Sequence, residues 1–227
     1  VKKEEKNMFD KLKKIMKKQV QSDDTIEVVL EEKDQLSLDD TAYIVNSAEA
    51  VGYDNREIQW STYRTVLQYI PENSSILDFG CGRGDLYVMH KSEYGELDYT
   101  GVDLNEPLLS AGKKIYSEIS DNLILSDWFN LPKDLAPRDW CINIGSNNLR
   151  YDANIKLDDF EYLCKTIDVM YEYAIEGLVL VLTSGTFTNG LINHDPGKIL
   201  NWAQKKYGLV CADHTVSRSA FCLIIKK

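Results

Sequence analysis

From about residue 74 to its end, the chain alternates short apolar runs with helix-length amphipathic stretches, and this rhythm constrains the fold more than any other feature. Apolar runs at 75–79, 98–103, 122–126, 139–145 and 177–183 read as strands. Stretches near 84–93, 106–119, 157–175 and 195–206 read as helices. A strand, a helix and a second strand in succession make the two strands parallel, with helices covering the sheet on both faces. The last two β-like runs, 209–216 and 220–226, are joined only by Ser217-Arg218-Ser219. So short a link joins antiparallel neighbours. The expected architecture is α/β: a doubly wound sheet of seven strands, mostly parallel, with an antiparallel C-terminal hairpin.

The 227 residues, 44% of them apolar, suit one full domain plus an appendage. The formal charge of −10 is unevenly spread. Residues 1–20 carry eight Lys against Glu4, Glu5 and Asp10, whereas residues 21–54 carry ten acids and one Lys. This divides the chain into an N-terminal appendage, 1–51, and a main domain, 52–227, whose first helix, 55–70, is placed as a lid. In the appendage Met8, Phe9, Leu12, Ile15 and Met16 recur at helical spacing opposite a lysine-rich face. Such a helix packs on its own protein, or binds a partner or an acidic surface. A β-like run at 25–30 and a helix at 36–51, with Ser37 as N-cap and Asp39 and Asp40 in its first turn, complete the appendage. A pI near 4.8 weighs against broad nucleic-acid binding. No apolar run approaches the ~20 residues of a membrane span, and none follows the basic N-terminus as in a secretory leader, so the expected location is cytoplasmic. Cys81, Cys141, Cys164, Cys211 and Cys222 are widely spaced and far from the histidines, which favours small buried hydrophobes over a metal site or disulfides.

The sharpest local signal is Asp78-Phe79-Gly80-Cys81-Gly82-Arg83-Gly84-Asp85, where an apolar strand runs through three alternate glycines into a helix. Glycine allows positive φ and close approach of a ligand to bare backbone. A dinucleotide loop needs Gly-x-Gly-x-x-Gly, but here the third glycine comes one place early and Asp85 stands in its place. An anionic side chain there argues against a pyrophosphate. Two further strands end in acids, at Asp103 and Asp127.

These motifs, in this order, resemble motif I and the following strand ends of the class I methyltransferases, which bind S-adenosylmethionine. The resemblance covers about residues 52–227. It implies that Asp78, Gly80, Cys81, Gly82 and Gly84 form the cofactor loop. It implies that Asp103 accepts both ribose hydroxyls beside Leu104, and that Asp127 and the Trp128 backbone N–H hold the adenine. Gly145, after the fourth strand, falls beside the methionine moiety. Gly52-Tyr53, Gln59, Tyr63, the run from Gly82 to Tyr87 and Asp195-Pro196-Gly197-Lys198 are similar to those of a small bacterial and phage family within this class, mostly of unassigned substrate.

The acceptor is less legible. Asn143-Ile144-Gly145-Ser146-Asn147-Asn148-Leu149 lacks the Asn/Asp-Pro-Pro-Tyr/Phe of many amine-methylating enzymes and the Pro-Cys of the cytosine-carbon enzymes. Together with the acidic balance, this favours a small-molecule acceptor, then a protein side chain, over nucleic acid. Positioning alone accelerates methyl transfer strongly, so no catalytic residue is required. Ser146, Asn147 and His194 are the candidates, each also readable as part of a hydrogen-bonded turn or loop. Tyr53, Gln59 and Tyr63 are placed at the acceptor pocket; Tyr53 and Tyr63 alternatively pack the lid helix on the sheet. The rival function is a methyltransferase-fold binding or assembly module without turnover.

Overall fold

The structure is a computed structural model that describes residues 48–149, 157–185, 191–217 and 219–227. The basic helix at 1–20, the run at 25–30, most of the helix at 36–51 and Arg218 lie outside the described residues.

After a 3-10 turn, Ala48–Val51, helix α1 (Arg56–Leu67) starts at Asn55, whose side chain accepts the Ile58 N–H at 2.9 Å. Gln59, Tyr63 and Val66 make its buried stripe. Ahead of Pro71 the Tyr69 and Ile70 N–H groups drop to i−3 carbonyls, tightening the last turn. Strand β1 (Ile76–Phe79) then enters the glycine turn and helix α2 (Asp85–Tyr94). Strand β2 (Tyr99–Asp103), helix α3 (Glu106–Ile115), strand β3 (Leu123–Leu125) and strand β4 (Arg138–Ile144) follow. Helix α4 (Asp159–Tyr173) opens on a capping box between Asp158 and Glu161, and runs directly into strand β5 (Ala174–Thr183). Helix α5 (Pro196–Tyr207), with Asp195 as N-cap and Pro196 at N1, precedes strands β6 (Val210–Ser217) and β7 (Ala220–Lys226).

The sheet order is β3-β2-β1-β4-β5-β7-β6, with β7 antiparallel to both neighbours and the other pairs parallel. Side chains alternate across it with period two. Leu77, Phe79, Leu178, Leu180 and Leu182 pack with α4 and α5 residues such as Ile167 and Ile199. Ile76, Val179 and Val181 pack on the opposite face with Tyr63, Leu86 and Leu109 from α1, α2 and α3.

Two boundaries and one burial expectation differ from the sequence reading. The helix expected over 106–119 ends at Ile115, because Tyr116 leaves helical geometry (φ −118°, ψ 69°) and a 3-10 turn, Ser117–Asn122, buries Ile119 instead. The fifth strand begins at Ala174 rather than residue 177, since buried Ala174 already pairs with Arg138 across a bulge. Of the cysteines, Cys81, Cys141 and Cys222 are buried, but Cys211 is exposed on β6 and Cys164 is half-buried, so the small-hydrophobe reading does not hold for all five. Among the described residues no helix is long and apolar enough to cross a membrane.

Candidate functional site

The strand order reverses between β1 and β4, and the crevice outside their carboxyl ends is where open α/β sheets bind ligands. Both sides of this crevice are glycine turns. Gly80, Gly82 and Gly84 all have positive φ (80°, 58° and 82°), as does Gly145 (85°) after β4. At Gly80 the need is also steric, because a Cβ there would lie 2.2 Å from Ser146 Oγ. Asn143, fully buried at the end of β4, ties the two turns together. Its Nδ2 donates to Phe79 O at 2.9 Å and to Ser146 Oγ at 2.6 Å, while its Oδ1 accepts the Asn147 N–H at 3.3 Å. The sequence reading gave Asn143 no role of its own. The available signal was an amide between Ile142 and Ile144 in an otherwise apolar strand.

Asp103, ending β2, is wired to this loop. Its Oδ2 accepts the Gly82 N–H and its Oδ1 the Asn105 N–H, each at 2.7 Å. Burial raises its pKa, opposed by these backbone bonds. Each oxygen keeps a further lone pair for a ligand. Leu104 beside it is 42% exposed, an apolar surface at the rim. Asp78, inside β1, is buried and accepts the Tyr99 hydroxyl at 2.7 Å. Burial pushes its carboxyl up to about 7; the Tyr99 bond opposes this and the Asp103 charge adds to it.

Cys81 and Trp128 offer only backbone to a ligand. The Cys81 Sγ turns back toward β2, 2.6 Å from where a Cβ on Gly101 would stand, and burial drives its thiol pKa well up. The Trp128 ring is buried in the core beside Tyr162. Asp127 accepts the Phe129 N–H at 3.0 Å and the Asn130 Nδ2 at 2.9 Å, so it caps its own turn.

Asp85 overturns one step of the sequence argument. It does not project its charge at a ligand. It is buried and paired with Arg83, whose NH2 lies 2.8 Å from Oδ2, and it also accepts Gln59 Nε2 at 3.2 Å and the Tyr116 hydroxyl at 2.8 Å. Repulsion of a pyrophosphate by Asp85 therefore falls away. Gln59 and Tyr63, expected at the acceptor pocket, are buried in this same cluster, with Gln59 Nε2 donating to the Tyr63 hydroxyl at 3.0 Å. Half-buried Tyr53 packs edge-on to Tyr63. Burial, with the Asp78 and Asp85 charges, raises both tyrosine pKa values. Gly112 and Tyr116 were also missed. A Cβ on Gly112 would lie 2.3 Å from Arg83 O, so α3 sits directly on the loop backbone.

The remaining candidates are brought together. Ser146 Oγ donates to Phe79 O at 3.2 Å, and Asn147 is the next residue. His194 is buried, with its N–H on Thr183 O at 2.9 Å and its Nε2 at 3.2 Å from Asn147 O.

Neither protein-family models nor curated sequences match the chain. Solved structures do, at low identity. Magnesium protoporphyrin IX methyltransferase from Synechocystis PCC 6803 with bound S-adenosylmethionine superposes with a TM-score of 0.55 at 14% identity, over 76% of this chain and 81% of that one. The plantazolicin methyltransferase BpumL, in complex with a triazolic desmethylPZN analogue and S-adenosylhomocysteine, gives 0.56 at 13%, over 76% and 84%. The glycopeptide N-methyltransferase MtfA, complexed with S-adenosylhomocysteine, gives 0.55 at 11%, over 77% and 91%. With a seven-stranded sheet, one antiparallel strand before its edge and a glycine turn after β1, the chain has the class I methyltransferase fold.

Proposed function

We propose that the chain binds S-adenosylmethionine in the crevice between the β1 and β4 turns and transfers its methyl group to a small-molecule acceptor. The observation that carries this reading is Asp103. Backbone N–H groups hold both its oxygens beside the glycine loop and leave each one a lone pair, which fits a ribose diol. Exposed Leu104 supplies apolar surface for the base, and Asp127 and the Trp128 backbone lie at the end of the next strand. Gly80, Gly82 and Gly84 would hold the methionine end from one side and Gly145 from the other. When bound, the cofactor supplies a methyl carbon made electrophilic by a sulfonium. The chain's own contribution is to fix that group and an acceptor at reacting distance, worth ~7–11 kcal/mol of barrier when alignment is good. These three neighbours are, by their names, methyltransferases of magnesium protoporphyrin IX, of plantazolicin and of a glycopeptide, which supports an acceptor of small-molecule or peptide size.

Calorimetric titration with S-adenosylmethionine tests the reading. Asp103→Ala removes hydrogen bonds to a charged group, about 1.5–3 kcal/mol, and is expected to weaken binding roughly 10- to 150-fold. Absence of binding by the wild type, or equal affinity in the variant, overturns it. Binding without passage of labelled methyl into any small-molecule or protein fraction of a cell extract would instead favour a binding module.

A further inference from the structure

His194 lines a cleft of about 270 Å³ between the start of α4 and the loop that leads into α5. Phe160, Asp158, Asp159, Asp195 and Lys198 line it as well. His194, in the wall of the cleft, is tied to residues of the crevice by hydrogen bonds. The His194 N–H is on Thr183 O at the end of β5, its ring is on Asn147 O, and Asn147 follows Ser146, which packs against Gly80. A backbone carbonyl only accepts, so the Nε2 atom, 3.2 Å from Asn147 O, carries the ring proton. In the neutral imidazole Nδ1 is then a bare lone pair, and no hydrogen bond from the described residues occupies it. His194 is only 6% exposed and lines the cleft, so its ring stands in a cavity wall rather than in bulk water. Fastening a loop to Asn147 O would use one ring nitrogen only.

The other charged groups that line the cleft are mostly acidic. Asp158 and Asp159 come from α4, and Asp195 and Lys198 from α5. Asp158 and Asp195 each cap their helix through Oδ1. Lys198 Nζ lies 3.8 Å from the centroid of the Phe160 ring. Three carboxylates against one ammonium make a cleft that disfavours an anionic occupant.

We propose that this cleft holds the methyl acceptor, an uncharged or cationic small molecule with a proton on its reacting oxygen or nitrogen, and that His194 Nδ1 takes that proton. The proposal rests on the methyl-transfer reading above. The acceptor's lone pair forms the new bond to the methyl carbon, and the broken S–C bond leaves its electron pair on sulfur. The acceptor's proton passes to Nδ1, giving an imidazolium that the Asp159 charge favours. Burial meanwhile keeps the resting ring neutral by lowering its pKa, against the Asn147 bond and Asp159.

Nitrogen-15 NMR of the full chain, with His194→Asn to assign the ring, tests the tautomer independently of turnover. The expected result is protonation on Nε2 and a midpoint below 6.5; protonation on Nδ1, or a midpoint at or above 6.5, overturns the proposal. Benzylamine and benzoate are matched probes of the cleft in the protein saturated with S-adenosylhomocysteine. Benzylamine is expected to shift the His194 resonances and benzoate is not; the reverse order, or no shift from either, counts against the cleft. His194→Asn still offers a donor to Asn147 O. It is expected to keep cofactor affinity within about twofold while labelled-methyl transfer into a small-molecule extract falls about 100-fold or more. Unchanged transfer, or loss of cofactor affinity, refutes the base. Failure of the wild type to bind S-adenosylmethionine refutes the parent reading instead, and the ring measurements stand apart from it.

Discussion

Gly112→Ala sets two effects of opposite sign against each other at one helix position. In the middle of a helix, alanine is better than glycine by about 1 kcal/mol, so propensity alone predicts a more stable protein. The structure predicts the reverse. The added Cβ would stand 2.3 Å from Arg83 O, 2.9 Å from its carbonyl carbon and 3.0 Å from its Cα. Carbon contacts are comfortable at about 3.5 Å, so α3 must retreat by roughly 1 Å. Neither partner is the end of a flexible side chain; one is a helix and the other a glycine-flanked loop that hydrogen-bonds Asp103. Overpacking of this kind costs about 1–3 kcal/mol and sometimes more. Taking the upper part of that range, because backbone meets backbone, and subtracting the propensity gain leaves about 1–2 kcal/mol of net destabilisation. In a domain of this size that lowers Tm by about 2–8 °C. Calorimetric melting of Gly112→Ala beside Ser110→Ala, an exposed position on the same helix, gives the comparison. The exposed change is expected within about 0.5 kcal/mol of wild type. A Gly112→Ala protein as stable as wild type, or more so, with unchanged cofactor affinity, would refute the claim that α3 positions the loop.

Two further predictions concern the buried charges. The Asp78 carboxyl is raised to about 7 from an ordinary value of 3.8, so the folded state holds a proton that the unfolded state releases, and stability falls as pH rises between about 4 and 7. Asp78→Asn removes this slope: denaturant midpoints measured across that range should show wild type losing ground to the variant by up to a few kcal/mol, and parallel curves would count against it. Asp85→Asn strands the buried Arg83 guanidinium and is expected to cost about 3–5 kcal/mol, whereas Arg83→Met with Asp85→Leu restores most of it; urea unfolding of the three proteins checks this, and additive losses would show that the pair does not act as a unit.

The sheet was legible because most strands are short apolar runs, with β1 and β4 followed by glycine and β2 ending in an acid, and because a three-residue link between the last two runs leaves only an antiparallel pairing. The acids at the strand ends were legible as positions, but their work was not. Asp127, the expected site acid, also caps its own turn. Asp85 was misread because, apart from Arg83 beside it, its partners are scattered. Gln59 lies 26 residues before it and Tyr116 31 after, and nothing in a linear pattern marks three distant groups as one cluster. Gln59 and Tyr63 lie on the buried stripe of α1, and that stripe meets the loop-bound Asp85 rather than open pocket. Gly112 carried no signal at all, since an isolated glycine in a helix is read as a weakness until a neighbour's backbone is seen against it.

Once Arg83 neutralises Asp85, the case against a dinucleotide has to be remade from other residues. Asp103 cannot make it, because an acid at the end of β2 serves a ribose diol in both ligand classes. The spacing of the glycines still differs from the dinucleotide pattern. Asp78 adds an electrostatic reason. It lies in β1 immediately before the loop, accepts only a hydroxyl, and has no cation partner among the described residues. With its pKa near 7 it is poised between neutral and charged. A pyrophosphate close to the loop would drive it further toward the protonated form, adding to the cost that burial and Asp103 already impose. A ligand bearing sulfonium and ammonium charges does the opposite, stabilising the carboxylate that desolvation disfavours. The charge that discriminates between the two cofactors is therefore the one hidden in the strand, while the charge visible at the motif's end is already satisfied by its neighbour.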